Sequence, residues 1–130
     1  AFCHNILSGQ DIEIYGDGKV IRDYISIDDV CESIICAIEY QVSEIAPIFN
    51  VGTGVGTNLL EVISTIENES NLTANIKFKE SRKIDVTRNI LSTSKAKKYL
   101  RFEAKVTLKE GIKQIIMNHR SNDDSNNSNS

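Results

Sequence analysis

Polar and apolar residues alternate over Asp11–Tyr15 (DIEIY), which predicts a strand, and again over Val20–Ile27. Between them Gly16-Asp17-Gly18 is a turn signal, because glycines adopt positive φ freely. The two runs together predict a hairpin followed by an extended segment. Upstream, Phe2, Ile6 and Leu7 share one face of a helix. Asp28 is placed to cap a helix running to about Tyr40. Val30, Ile34, Ala37 and Ile38 line one face of it, flanked by Cys31 and Ile35. So wide an apolar face calls for cover on more than one side.

Beyond Pro47, Ile48–Val51 reads as a short buried strand and Gly52–Gly56 as a loop. Asn58-Leu59-Leu60-Glu61 has capping-box spacing and opens a helix to about Asn68. Ile76–Lys79 predicts a strand and Ser94–Leu100 a short helix. Thr107-Leu108-Lys109-Glu110 is a second capping box, after which Leu108, Ile112, Ile115, Ile116 and His119 fall on one helical face. Residues 1–120 thus form one α/β region. From Ser121 the chain is only Ser, Asn and Asp, which predicts a disordered polar tail over 121–130.

Composition narrows the classes. The chain has 130 residues, 40% hydrophobic and 25% charged, with net charge −3, ordinary values for a globular protein. No basic block or stripe suggests nucleic-acid binding. No apolar run approaches the roughly 20 residues of a membrane span, and the first ten residues lack the pattern of a signal peptide. The start without Met, within a helical pattern, reads as a cut from a longer protein. Cys3, Cys31 and Cys36 form neither an even set nor a CxxC spacing. Free buried thiols in a cytoplasmic protein are expected, with no disulfide framework and no metal site.

No catalytic constellation emerges. His4 and His119 stand near opposite ends, and Asp28 and Asp29 suit the start of a helix better than acid–base work. The loop Gly52-Thr53-Gly54-Val55-Gly56 has the spacing GxGxG rather than the GxGxxG of a dinucleotide-binding turn, so a tight connection is expected there. Arg22 and Arg82, far apart in sequence, are the candidate anion binders, since guanidinium forks suit phosphate oxygens.

Seven motifs then follow in order: Tyr15-Gly16-Asp17-Gly18, Arg22-Asp23-Tyr24-Ile25, Asp28-Asp29-Val30, Phe49-Asn50-Val51-Gly52-Thr53-Gly54, Arg82 with Asp85-Val86, Ser94-Lys95-Ala96-Lys97-Lys98, and Leu108-Lys109-Glu110-Gly111-Ile112. In that order they resemble the C-terminal part of the extended short-chain dehydrogenase/reductases, the NAD-dependent epimerase/dehydratase family, most closely the UDP-glucose 4-epimerase group. The resemblance implies a substrate-binding region that includes elements completing a Rossmann sheet. It implies that Arg22 and Arg82 hold the pyrophosphate of a UDP-sugar, Asp85 the ribose hydroxyls, and the Ile14–Tyr15 strand the edge of the base. The chain departs from the family in reading Arg82-Lys83-Ile84-Asp85 where Arg-Pro-Gly-Asp is usual, and in having Arg101 near the usual glycine after the short helix.

The resemblance also implies that NAD and the catalytic residues belong to an N-terminal Rossmann domain, for which this sequence shows neither GxxGxxG nor Tyr-x-x-x-Lys. No catalytic, cofactor or metal residue is therefore expected here, and the chain alone is expected to be inactive. The helix Asp29–Tyr40, lacking that domain, is expected to self-associate through Val30, Ile34, Ala37 and Ile38. The function implied is UDP-sugar binding within a 4-epimerase. Dehydratase, decarboxylase and reductase chemistry in the same family, or a non-catalytic nucleotide-sugar-binding module, are the alternatives.

Overall fold

A computed structural model describes the backbone of residues 2–41, 47–81 and 86–127, with side chains to 121. Along it run α1 (Phe2–Leu7), β1 (Ile12–Tyr15), β2 (Ile21–Asp23), α2 (Ile27–Glu39), β3 (Gly56–Asn58), α3 (Leu59–Ser70), β4 (Ile76–Lys79), β5 (Arg88–Asn89), a π-type turn (Ala96–Leu100) and α4 (Leu108–Asn127). The chain divides into two compact units. The first comprises Ala1–Val20, Asn58–Val86 and Lys109–Ser130, and the second comprises Ile21–Thr57 and Thr87–Leu108.

In the first unit β1 and β4 pair in parallel, with Ile12 opposite Ile76 and Tyr15 opposite Lys79. Ile12 and Ile14 point inward while Glu13 and Tyr15 point out, the two-residue alternation of a half-buried strand. Ile6, Val62, Ile63, Ile66, Ile112 and Ile116 complete the buried apolar set. Lys77 pairs with Asp11, and Lys79 lies 3.3 Å from Glu13, exposed pairs that steady the register more than they add stability. α3 opens with the expected capping box: the Asn58 carboxamide accepts from Glu61 N and the Glu61 carboxylate accepts from Asn58 N.

The second unit holds the sheet β3-β2-β5, in which β2 and β5 run parallel. Its core is Ala96, Leu100 and Phe102, with Ile25, Cys36, Tyr40, Phe49 and Val51 packed against it. The Tyr40 and Phe49 rings meet edge-on at 5.5 Å.

Several expectations are corrected. Gly16 and Gly18 do have positive φ, but no hairpin forms, because β1 and β2 belong to different sheets. Alternation identifies a strand, not its neighbour. Ile48–Val51 is not a strand, since its Phe49 and Val51 pack as loop residues while Ile48 is exposed. Ile115 is exposed, whereas Ile112 and Ile116 of the same helix are buried. The backbone of α4 runs through Asn127.

The polarity of α2 is reversed relative to its own unit. Asp29 and Ser33 are its buried residues, while Ile27, Ile34, Ile35 and Ile38 are between 54% and 78% exposed. With Cys31, exposed rather than buried as expected because it shares their face, they recur as i, i+4, i+7, i+8, i+11, one continuous apolar stripe. Among the described residues no helix is long and apolar enough to cross a membrane.

Arg101, after the π-type turn, has φ 55°, the left-handed conformation that glycine adopts without strain. This accounts for the glycine usual at that place in the family. Arg101→Gly is expected to stabilise the chain by about 0.5–1 kcal/mol, because relief of strain outweighs the added freedom of the unfolded chain. Urea unfolding of the two proteins measures the difference.

Candidate functional site

Neighbouring residues on a strand face opposite ways, so β2 presents Arg22 on one side and Asp23 on the other. The Asp23 carboxylate is a hub. Oδ1 accepts from Thr53 N at 2.9 Å and from Thr53 Oγ1 at 2.6 Å. Oδ2 accepts from Gly54 N at 2.9 Å and Leu91 N at 3.3 Å. Burial pushes this carboxyl upward, but the bonds from Thr53, Gly54 and Leu91 outweigh it and hold the group below the usual carboxylate range.

The glycines of the 52–56 loop follow from this hub. A Cβ on Gly52 would lie 2.7 Å from Asp23 Oδ2, and Gly54 has φ +74°. The loop has the look of a phosphate cradle, yet the anion its Thr53 and Gly54 amides meet is the protein's own. These residues do not fit a dinucleotide phosphate while Asp23 is ionised, in keeping with the GxGxG spacing. Sequence reasoning missed Asp23 as a tie. The available signal was an acidic residue on a predicted strand and a Thr-Gly pair following another apolar run.

A second carboxylate works similarly. The cap of α2 is Ser26, whose Oγ accepts from Asp29 N at 3.1 Å, rather than Asp28. The Asp29 carboxylate, 2% exposed as a residue, is thereby turned to accept from Lys105 N and Val106 N, each at 3.0 Å. Burial again raises its proton affinity, and these backbone bonds again lower it further, leaving it below the ordinary range. Lys105 Nζ in turn meets Glu32 at 2.5 Å. Beside these ties, a pocket of about 240 Å³ is lined by Tyr24, Thr53, Thr57, Lys105, Thr107 and Leu108, among others. The Tyr24 phenol is raised by burial, with Arg22 acting in the opposite direction.

Of the residues assigned to substrate, Ile14 is buried on β1 and Tyr15, next to it, is 40% exposed. Arg22 is half-buried on β2, its guanidinium donating to Ile21 O at 2.9 Å. Ile14 and Tyr15 fall in the first unit and Arg22 in the second. Arg82 and Asp85 lie outside the described residues. His4 and His119, distant in sequence, have ring centroids 5.8 Å apart. Among the described residues no group of three or more His, Cys, Asp or Glu is placed to hold a metal ion.

Comparison with known proteins gives these observations a family. The family described as GDP-mannose 4,6 dehydratase matches residues 1–115. The chain belongs to this family, among the extended short-chain dehydrogenase/reductases that include the NAD-dependent epimerases and dehydratases. It is 33% identical to dTDP-4-dehydro-6-deoxyglucose reductase of Escherichia coli over 119 residues, 92% of this chain and 37% of the relative. Its structure is similar to UDP-glucose 4-epimerase of Thermotoga maritima, determined with UDP-glucose. There the TM-score is 0.85 and the identity 35%, over 93% of this chain and 38% of that one. It is also similar to UDP-glucuronic acid 4-epimerase of Bacillus cereus, determined with UDP-glucuronic acid and NAD. There the TM-score is 0.80 and the identity 27%, over 85% of this chain and 35% of that one. The chain spans between 24% and 37% of the length of the curated relatives it matches.

The two carboxylates set a pH dependence. Their folded pKa values lie below the unfolded ones, so their stabilisation is complete above the ordinary carboxylate range and is lost as pH falls through the folded values. The thermal midpoint is expected to hold from neutrality to about pH 5 and to drop below it. Asp29→Asn is expected to be less stable at neutrality, by about 1–3 kcal/mol, and its midpoint to fall less steeply in acid.

Proposed function

We propose that this chain is the nucleotide-sugar-binding part of an NAD-dependent UDP-hexose 4-epimerase. The observation that carries this reading is the likeness, over nearly the whole chain, to an epimerase determined with UDP-glucose. In this reading Arg22 and Arg82 hold the two phosphates, Asp85 accepts from the ribose hydroxyls, and the Ile14–Tyr15 strand meets the edge of the base. Arginine forks match phosphate oxygens, and one carboxylate has acceptors enough for two vicinal hydroxyls. NAD and hydride transfer belong to a Rossmann partner region, and this chain's share is to fix the nucleotide so that remote binding supports reaction at the sugar. A reductase is the second reading, favoured by the E. coli relative.

An amide NMR titration with UDP, GDP and dTDP tests the proposal. Selective shifts with UDP at Ile14, Tyr15 and Arg22 are expected. A preference for dTDP would move the assignment to a reductase, and a preference for GDP to a dehydratase of the kind for which the family is named.

The same proposal gives α2 a role as a docking face for the rest of such an enzyme. Alone, the chain is expected to self-associate through Ile34 and Ile38, with Ala37 between them, all of them exposed. Val30 contributes less, being half-buried. Sedimentation should show association rising with concentration, and Ile34→Glu with Ile38→Glu should return a monomer of unchanged helical content. A wild-type chain that stays monomeric at high concentration would refute this.

A further inference from the structure

Asp23 stands next to Arg22 on a strand of only three residues, Ile21–Asp23. So short a strand has little stiffness of its own, even as the middle strand between β3 and β5. On one neighbour, β5, the register sets Ile21 against Arg88 and Arg22 against Asn89. Beyond these strand pairings, the four hydrogen bonds to the Asp23 carboxylate come from the 52–54 loop and from Leu91. Leu91 lies two residues beyond β5, so a single carboxylate ties β2 both to the glycine loop and to the run of chain that leaves its partner strand. Gly52 lacks a Cβ where one would strike this carboxylate, and Gly56 lacks one where it would lie 2.6 Å from Ile21 Cγ2. The loop is therefore shaped around β2 on both sides of Thr53.

We infer that Asp23 is a positioning residue for anion binding by Arg22: it is the resident anion of the glycine loop, and by locking β2 it sets where the Arg22 guanidinium points. This rests on the reading of Arg22 as a phosphate ligand, but the lock itself is separate from the nucleotide. Removing the carboxylate leaves three backbone N–H groups, of Thr53, Gly54 and Leu91, converging on a vacant acceptor position. That arrangement accepts a small carboxylate from solution. The inference thus specifies a chemical rescue. In Asp23→Gly, formate occupies the place of the side chain and restores the lock.

The test uses the full 130-residue chain and follows the Arg22 Nε–Hε resonance without nucleotide, then the affinity for UDP. In the wild type the Arg22 resonance is expected to be dispersed. In Asp23→Gly it should collapse toward that of a mobile guanidinium, and UDP binding should weaken by roughly tenfold or more, the scale of losing bonds to a charged acceptor. Formate should reverse both effects in this variant and change neither in the wild type. Thr53→Val, which removes only the hydroxyl donor, preserves the rest of the hub should Asp23→Gly fail to fold. It should shift the Arg22 resonance in the same direction and weaken UDP binding by roughly threefold. An Arg22 resonance unaltered in the folded variants overturns the inference, whatever UDP does. An Arg22 resonance that responds and is rescued, in a chain that binds no UDP, upholds the role of Asp23 and removes the nucleotide reading instead.

Discussion

One carboxylate, that of Asp23, decides the shape of the second unit. A short strand and a glycine-rich loop have little of their own to fix them, since both are poor in side-chain packing and the loop has the conformational freedom of its glycines. A side chain that only accepts hydrogen bonds, set where three amides and a hydroxyl point inward, resolves that freedom. Its desolvation is unfavourable, and it stays ionised because the donors more than offset the penalty. The identity of the loop residues, from the missing Cβ at Gly52 to the positive φ of Gly54, follows from this one contact.

Asp29 repeats the principle with different elements. There a helix cap by Ser26 aims the next turn's carboxylate at the amides of Lys105 and Val106, so a local capping motif becomes a long-range tie. The unit has a small apolar core of Ala96, Leu100 and Phe102, and polar ties of this kind do work that a larger core does elsewhere. The first unit relies on the opposite strategy, with isoleucines of β1 and α3 fully enclosed and its ion pairs left on the surface.

Much of the element order was legible in the residues. The capping box at Asn58, the alternation of β1 and the alternation of Ile76–Lys79 each report a local preference, and each element forms. What was not legible was partnership. Nothing in DIEIY or in the run from Val20 says that each strand pairs in parallel with a distant segment, so a hairpin was the simpler expectation. The apolar face of α2 was evident, but its orientation was not, because periodicity gives a stripe and not the direction it faces. Of the candidate site, the pattern of arginines and the motif order carried the family, and the likeness to epimerases agrees with that. The role of Asp23 was hidden because a carboxylate between an arginine and a tyrosine has no spacing signature. Its donors lie 30 and 68 residues away.

The reversed α2 has a consequence for the life of the polypeptide in a cell. Chaperones and proteases sort chains by exposed branched aliphatic side chains, and a row of isoleucines on a well-formed helix carries the same mark as an unfolded segment. A chain with both units correctly formed would still be handled as an intermediate. Its abundance would then be governed less by its own free energy of folding than by how quickly that row is covered.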